Sequence, residues 1–228
     1  MQVEICVNSV ESAVKAKAAG ATRVELCQNL NEGGTTPSMG AIEYCVHRLE
    51  LRTHVLVRPR PGNFVYSDAE TAVLLRDIEL CALEGADAVV VGFLTADGDI
   101  DVERTRRAVE AAGTMSVTFH RAFDDCRDWR QGLEDVIACG CNRILTSGQA
   151  ATAFEGRKTL AEMVKQAADR ITILAGCGVT PDNVTQLIKE TDVQEVHGSC
   201  RHTFGDLTET DPDTVRALLT KAANACLA

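Results

Sequence analysis

The chain has 228 residues, 45% of them hydrophobic, and a formal net charge of −10. This apolar fraction is enough for a large core, while the acidic balance and the lack of a basic stretch disfavour binding to nucleic acid. No apolar run approaches the length needed to span a bilayer, so we expect no membrane partner. Residues 1–7 lead straight into a strand pattern without a basic region or a cleavage site, which predicts a cytosolic protein.

One unit repeats along the chain: a short apolar strand, a loop, an amphipathic helix and then the next strand. The eight predicted strands are Val3–Val7, Arg23–Leu26, Thr53–Val57, Ala88–Val91, Ser116–His120, Arg143–Thr146, Ile171–Leu174 and Glu195–His197. Strands that alternate with helices pair in parallel through right-handed crossovers. No linker divides the chain, so we predict one α/β domain over residues 1–228, a (β/α)8 TIM-type barrel. A doubly wound open sheet is the alternative, but its glycine-rich fingerprint is missing after the first strand.

Capping residues mark the predicted helix boundaries. Ser67 and Glu70 have the spacing of a capping box. Thr36, Thr180 and Asp211 each precede a proline, which suits the first position of a helix. Glycines mark four of the helix ends, at Gly20, Gly85, Gly113 and Gly140.

Ten cysteines are scattered along the chain without the paired spacing of a zinc site. A domain with this much apolar material does not need disulfides. We expect most of these cysteines to be reduced and to pack as small hydrophobes. This expectation covers Cys45, Cys81, Cys139, Cys141 and Cys226, while the role of Cys126 stays open.

The residues that strand alternation assigns to the barrel interior are unusually polar. In the first strand Val3, Ile5 and Val7 share the face that should meet the helices, which turns Glu4 and Cys6 inward. The same alternation assigns to the interior Glu25, Cys27, His54, Leu56, Arg58, Arg60, Thr118, His120, Glu195, His197 and Ser199. Barrel interiors are normally filled by Val, Ile and Leu. Buried charges need partners, so these groups must pair with each other or with a ligand.

Two interpretations of this polar interior stay open. The structural one is an internal ion-pair network in which Arg58 and Arg60 neutralise Glu4 and Glu25. The functional one rests on position, since most of these groups come late in their strands and TIM barrels hold their sites at the C-terminal strand ends. We favour a site at that end of the barrel.

Glycine-containing loops follow the sixth and seventh predicted strands. Thr146, Ser147 and Gly148 follow the sixth, and the range Gly176–Gly178 follows the seventh, just before the predicted helix start at Thr180. Glycines there let backbone N–H groups approach a ligand, and a helix N-terminus favours an anion. Together with Ser199, these loops predict an anion site.

Several stretches resemble the CutC family, and the resemblance covers roughly residues 1–200. They are Val24–Cys27, Gly33–Ser38, Arg58–Arg60, Tyr66–Ser67, Thr118–Asp124 and Leu145–Gly148. The resemblance implies a cytosolic (β/α) barrel that forms a homo-oligomer, a dimer or tetramer, and that is linked to copper tolerance and binds Cu(I). Pro61, Cys177 and the short segment Arg201–Thr210 depart from the family's usual pattern.

A copper site follows from two of the interior thiols. Thiolates are soft ligands that select Cu(I). Cys6 and Cys27 occupy equivalent places on neighbouring strands, which lie about 4.8 Å apart. We predict that they hold Cu(I), with His120 and His197 as candidate further ligands. The alternative is two packed core cysteines, which is common for this residue type.

The competing hypothesis is an isomerase, epimerase or lyase acting on a small anionic or sugar-like substrate. Its candidate acid–base and orienting residues are Glu4, Glu25, His120, Asp124 and Glu195. Its candidate anion-binding residues are Arg58, Arg60, Arg121, Thr146, Ser147, Gly148, Gly176, Gly178, His197 and Ser199. Within these sets we expect His120, Arg121, Asp124, Glu25 and Arg58 to act as one functional unit. A purely structural role is the third hypothesis.

Overall fold

Eight parallel strands close into a barrel in the order in which they follow along the chain. The computed structural model describes residues 1–204 and 207–225. The strands are β1 (Gln2–Val7), β2 (Arg23–Leu26), β3 (Arg52–Leu56), β4 (Ala88–Val91), β5 (Ser116–Phe119), β6 (Arg143–Thr146), β7 (Thr172–Ala175) and β8 (Glu195–Gly198). The predicted TIM-type barrel is confirmed, and the eight predicted strands each lie within one residue of an observed strand.

Helices follow the strands and cover the outside of the barrel. They are α1 (Val10–Ala18), α2 (Met39–Glu43), α3 (Asp68–Leu83), α4 (Val102–Ala112), α5 (Trp129–Ala138), α6 (Arg157–Ala167), α7 (Val184–Thr191) and α8 (Pro212–Ala225). Short 3₁₀ turns at Leu30–Glu32 and Arg121–Asp125 precede α2 and α5. An antiparallel hairpin, β9 (Arg201–Phe204) and β10 (Leu207–Thr210), connects β8 to α8.

The apolar core lies between the barrel and the helices. Outward strand residues such as Ile5, Val24 and Val89 are fully buried there. Helix α3 shows how a helix fits this layer. Its buried positions are Thr71, Leu74, Ile78 and Cys81, which recur at helical spacing along one face. Its N-terminus has the predicted capping box of Ser67 and Glu70.

Two of the predicted helix starts are wrong, and in each case the threonine has another partner. The N-cap of α2 is Ser38, because the hydroxyl of Thr36 exchanges hydrogen bonds with the backbone of Arg58. Helix α7 begins only at Val184, and the backbone N–H of Thr180 donates to the side chain of Asn183 in a turn that precedes it. The predicted start of α8 after Asp211 is confirmed.

The cysteines of the described residues are free thiols, and all but Cys177 are buried. Cys45, Cys81, Cys139 and Cys141 pack in the core as predicted. Cys126, whose role the sequence leaves open, also packs in the core. Cys226 lies outside the described residues. Within residues 1–204 and 207–225, none of the helices combines the length and the apolar character needed to cross a membrane.

Candidate functional site

A cavity of about 530 Å³ opens at the C-terminal ends of the strands. Eight of the predicted site residues line it: Cys6, Glu25, Arg58, His120, Arg121, Gly178, His197 and Ser199. The others do not line it: Glu4, Cys27, Arg60, Asp124, Thr146, Ser147, Gly148, Gly176 and Glu195. The cavity is where the fold predicts a site, because strand ends and the loops that follow them converge there.

Below the cavity, Glu4 is the centre of a buried charged network. Its Oε1 lies 2.9 Å from Nδ1 of His197, and its Oε2 lies 2.9 Å from Nε of Arg23 and 2.7 Å from Nδ1 of His54. The contacts to Oε2 are poorly aligned for hydrogen bonds, so charge attraction dominates them. The predicted neutralisation of Glu4 and Glu25 by Arg58 and Arg60 is wrong, since Arg23 and two histidines surround Glu4 instead.

Glu195 belongs to the opposite end of the barrel. It is the first residue of β8, and its carboxylate lies 2.5 Å from Nη2 of Arg23 and 2.9 Å from Nε of Arg143. These arginines are themselves first residues of β2 and β6. The pairing links three strand beginnings and keeps Glu195 away from the cavity.

The acidic groups of the interior differ in their pKa. Burial alone would raise the pKa of Glu4, but its contacts with His197 and His54 hold it well below 4.5. Burial raises the pKa of Glu25, which receives less compensation. Burial would lower the pKa of His197, but the carboxylates of Glu25 and Glu4 outweigh that effect and raise it. His197 therefore keeps its proton to a higher pH than a free histidine does.

Cys6 and Cys27 contact each other with their Sγ atoms 4.0 Å apart. The predicted side-by-side placement is wrong, because the register pairs Cys6 with Glu25, and Cys27 lies two residues further along β2 towards the C-terminal strand ends. This offset is the strand stagger that closes a barrel. Cys6 lines the cavity, whereas Cys27 is fully buried behind it with Leu56 and Val90. The hydrogen bond with Cys27 and burial raise the pKa of Cys6 well above 9.0.

Cys6 also belongs to a group of three potential metal ligands. One ligand atom each from Cys6, Glu25 and His197 lies within 4.8 Å of the others. His197 directs Nδ1 to Glu4 and Nε2 towards Glu25, at 3.7 Å. A histidine anchored through one ring nitrogen by a carboxylate presents the other to a metal in many metal sites.

Arg58 lines the cavity without a carboxylate partner. Its guanidinium donates to the carbonyl oxygens of Glu32, Gly34 and Gly62 at 2.7–3.3 Å and lies 4.9 Å from the ring centroid of Phe64. No ion pair joins Arg58 to the described carboxylates, since Glu4 is held by Arg23. Arg58 is nevertheless only 5% exposed.

Arg60 does not reach the cavity. Its Nε donates to Glu70 of α3 at 2.5 Å, and its guanidinium lies 5.0 Å from the ring centroid of Tyr66. The prediction that alternation turns Arg60 inward is wrong, because β3 ends at Leu56 and the alternation ends with it. Arg60 instead fixes the loop between β3 and α3.

His120 follows β5 and is held as a neutral hydrogen-bond donor. Its Nδ1 accepts the backbone N–H of Ala122 at 3.0 Å, which leaves the proton on Nε2. Burial and the charge of Arg58 lower its pKa to about 3. Its Nε2 has no hydrogen-bond partner among the described residues. A Cβ at Gly92 would lie 2.4 Å from Cε1 of His120, so only glycine leaves room for this ring.

Asp124 connects two loops instead of contacting His120. Its carboxylate accepts hydrogen bonds from Thr146, from the backbone and hydroxyl of Ser147, and from the backbone of Gln149, and it pairs with Arg121 at 2.8 Å. Thr146 and Ser147 are fully buried. The loop after β6 is therefore held by Asp124, and neither Thr146 nor Ser147 lines the cavity.

The loops after β7 and β8 form part of the rim. Gly178 and Ser199 line the cavity together with Cys177 and Cys200. Cys177 has a φ of 77°, a left-handed conformation that suits the glycine expected there from the family's pattern. Because α7 begins at Val184, the predicted helix N-terminus at Thr180 is replaced by a turn.

Sequence reasoning missed several residues of the site. Phe64, Leu145 and Val179 line the cavity, and Arg201 of the hairpin lies at its rim. They come from loops or from a strand without a charged pattern, so alternation gave no signal for them. Strand alternation could have identified Arg23 and Arg143, because each begins its strand at a position that faces the barrel interior.

A family model, curated relatives and a solved structure all match this chain to the same family. The model of the CutC family matches residues 1–202. A CutC family protein of Chromobacterium violaceum is 51% identical over 199 residues, covering 87% of this chain and 81% of the relative. Another from Xanthomonas campestris pv. campestris is 44% identical over 234 residues, covering 96% and 98%. The crystal structure of the putative copper homeostasis protein CutC from Streptococcus agalactiae is similar with a TM-score of 0.83 and 34% identity, covering 87% and 98%.

Proposed function

The chain belongs to the CutC family, and on that premise we propose that it is a copper homeostasis protein that binds Cu(I) through Cys6 and Cys27. The observation that carries the proposal is the 4.0 Å contact between the two thiol sulfurs at the cavity end of β1 and β2. The name of the solved relative from Streptococcus agalactiae, a putative copper homeostasis protein, supports it. The isomerase, epimerase or lyase alternative is not favoured by these relatives.

The donor set suits a soft, monovalent metal. Two thiol sulfurs select Cu(I) over hard cations such as Mg²⁺. Metal–sulfur bonds in proteins are about 2.3 Å long, so sulfurs 4.0 Å apart are close to the spacing that a single bridging ion requires. The hydrophobic residues Leu56 and Val90 pack against this pair.

Nε2 of His197 is the third donor that we propose. Glu4 holds the opposite ring nitrogen at 2.9 Å and so orients the imidazole. Glu25 is near both Cys6 and His197. Copper entering through the cavity meets Cys6 first, because Cys27 lies behind it.

Binding requires loss of protons from the site. The pKa of Cys6 is raised by its contact with Cys27 and by burial, so the free thiol is protonated at neutral pH. Thiolate ligation therefore displaces a proton, as in other metal sites. A reducing compartment keeps such thiols available, and we propose the cytosol as the location.

Cu(I) affinity provides the test. In a competition titration with a Cu(I) chelator under reducing conditions, we expect the Cys6→Ser and Cys27→Ser variants to lose at least about 100-fold in affinity, more than loss of an outer-shell partner costs. Cys81→Ser is the matched control, because it removes an equally buried thiol from α3. Wild-type affinity in the Cys6→Ser/Cys27→Ser double variant would show that copper is held elsewhere.

A further inference from the structure

The wall of the cavity formed by the loops after β3 and β5 has a different chemistry from the thiol pair. Arg58 follows β3 and His120 follows β5, and both line the cavity. The potential metal ligands Cys6, Glu25 and His197 come from β1, β2 and β8. The same cavity therefore has a sulfur and carboxylate side and a side that offers hydrogen-bond donors.

Arg58 is a buried cation whose charge is only partly compensated. In the part of the chain that the structure describes, three backbone carbonyl oxygens and the face of Phe64 contact it, and these provide dipoles but no negative charge. The other arginine beside His120, Arg121, is already paired with Asp124. A buried charge without a counter-ion is costly, so its retention at a cavity wall favours an anionic partner.

His120 adds a directed neutral donor beside this charge. The N–H of Ala122 fixes the tautomer, so that Nε2 carries the proton and has no partner among the described residues. The Nδ1–Cε1 edge of the ring packs against Gly92, and His120 lines the cavity with its Nε2 buried. An unpaired buried N–H calls for an acceptor, and an oxygen of an anionic group supplies one.

The remaining lining fits an organic molecule better than a simple ion. Leu56, Phe64, Leu145 and Val179 provide apolar surface around the polar groups. A volume of about 530 Å³ lies in the range of small-molecule sites, which combine apolar walls with a few placed polar groups. At the rim Arg201 adds positive charge, held by Asn31 at 3.4 Å.

We propose that this cavity binds a small organic anion whose carboxylate or phosphate group lies against Arg58 and His120 and whose apolar part lies along Phe64 and Leu145. Glu25 does not oppose this placement, because it lies on the side of His197 and Cys6. The proposal goes beyond copper binding and does not depend on it. It also differs from an anion site at the loops after β6 and β7, where Asp124 already occupies the donors of Thr146 and Ser147.

Calorimetric titration of metal-free, reduced protein with phenyl phosphate and with benzoate tests the proposal. Phenol serves as the neutral ligand of the same shape, and chloride keeps the ionic strength equal. We expect one of the two anions to bind, and to raise the melting temperature by about 3–5 °C at ten times its Kd. The anion that binds identifies phosphate or carboxylate as the recognised group. Absence of binding by both anions, or equal binding by phenol, would overturn the proposal.

Two variants remove the proposed donors and one is a matched control. Arg58→Met should weaken anion binding by about 10- to 100-fold, the usual effect of a lost charged hydrogen bond. His120→Asn keeps an acceptor for Ala122 but removes the Nε2 donor, and should weaken binding as well. Arg60→Met removes the same charge two residues away, outside the cavity, and should bind like wild type. Equal losses in Arg58→Met and Arg60→Met would reduce the effect to general electrostatics and overturn the site.

The melting temperature of each variant without ligand shows whether it folds. We expect Arg58→Met to fold and to melt a few degrees below wild type, because the carbonyl oxygens of Glu32, Gly34 and Gly62 lose a donor while none of the described carboxylates loses a partner. The titrations use metal-free protein, so failure of the copper site leaves this proposal intact. Unchanged anion binding in both Arg58→Met and His120→Asn would contradict the proposed location.

Discussion

Replacing Glu4 by glutamine is expected to lower the free energy of unfolding by about 3–5 kcal/mol, the usual cost of breaking a buried ion pair from one side. Glu4 and Arg23 are each only 1% exposed, and the same carboxylate contacts His54 and His197. The amide keeps the shape but removes the negative charge. Of the counter-ions that the structure describes, Arg23 would then retain Glu195 alone.

Urea unfolding at neutral pH measures this loss. Glu110→Gln is the matched control, since it makes the same chemical change on the exposed side of α4 and should stay within about 0.5 kcal/mol of wild type. If Glu4→Gln and Glu110→Gln unfold at the same urea concentration, the network does not stabilise the barrel.

Because of the same network, the free energy of unfolding should depend on pH. Despite burial, contacts with His197 and His54 hold the pKa of folded Glu4 below its usual 4.5. The stability that Glu4 contributes is therefore full above pH 4.5 and is lost as the pH falls through the folded-state pKa. Wild type should lose more stability below pH 4.5 than Glu4→Gln does.

Asp124→Ala is expected to lower the free energy of unfolding by about 2–4 kcal/mol, because it leaves buried donors without an acceptor. The carboxylate of Asp124 is 7% exposed and pairs with Arg121. It also accepts the backbone N–H of Ser147 and the hydroxyl of Thr146, both in fully buried residues. Alanine supplies no replacement acceptor, so the loop after β6 should lose its connection to the loop after β5.

The neighbouring Asp125→Ala variant is a control for the loss of charge, because Asp125 is exposed. It should unfold within about 0.5 kcal/mol of wild type. Proteolysis of the Gly148–Gly156 region adds a local measurement, which should become faster in Asp124→Ala alone. Equal stability of the two alanine variants would contradict the loop-tying role of Asp124.

The periodicity of the sequence was sufficient to predict the barrel and the side of each strand that faces inward. Val3, Ile5 and Val7 in β1 are buried against the helices, and Glu4 and Cys6 lie inside. A period of two fixes faces, because successive strand residues point to opposite sides. It was reliable only within strands, which is why Arg60, beyond the end of β3, was misassigned.

The alternation of the sequence could not predict which side chains pair with each other. The stagger of β1 against β2 places Cys6 beside Glu25, and no property of either strand alone reveals that offset. The structural interpretation paired Arg58 with a carboxylate, but Arg58 binds carbonyl oxygens of the loops at Glu32, Gly34 and Gly62. Such partners depend on how loops fold over the barrel end.

The structural interpretation of the polar interior applies to the groups below the cavity, and the functional interpretation applies to the groups that line it. Below the cavity, Arg23 pairs with both Glu4 and Glu195. Glu4 also contacts two histidines, and Glu195 also pairs with Arg143. At the cavity itself, the groups are less completely compensated: burial raises the pKa of Glu25, and Arg58 has no carboxylate partner within residues 1–204 and 207–225. Groups of that kind are typical of sites, which are kept at some expense of stability.

X-ray absorption spectroscopy at the copper edge of the reduced, Cu(I)-loaded protein tests the proposed copper site most directly. Two sulfur neighbours are expected around copper in the wild-type protein, because Cys6 and Cys27 lie 4.0 Å apart at the strand ends. The sulfur contribution should disappear in the Cys6→Ser/Cys27→Ser variant and persist in Cys81→Ser. A coordination sphere of nitrogen and oxygen alone in wild type, or sulfur neighbours that survive the double substitution, would contradict it.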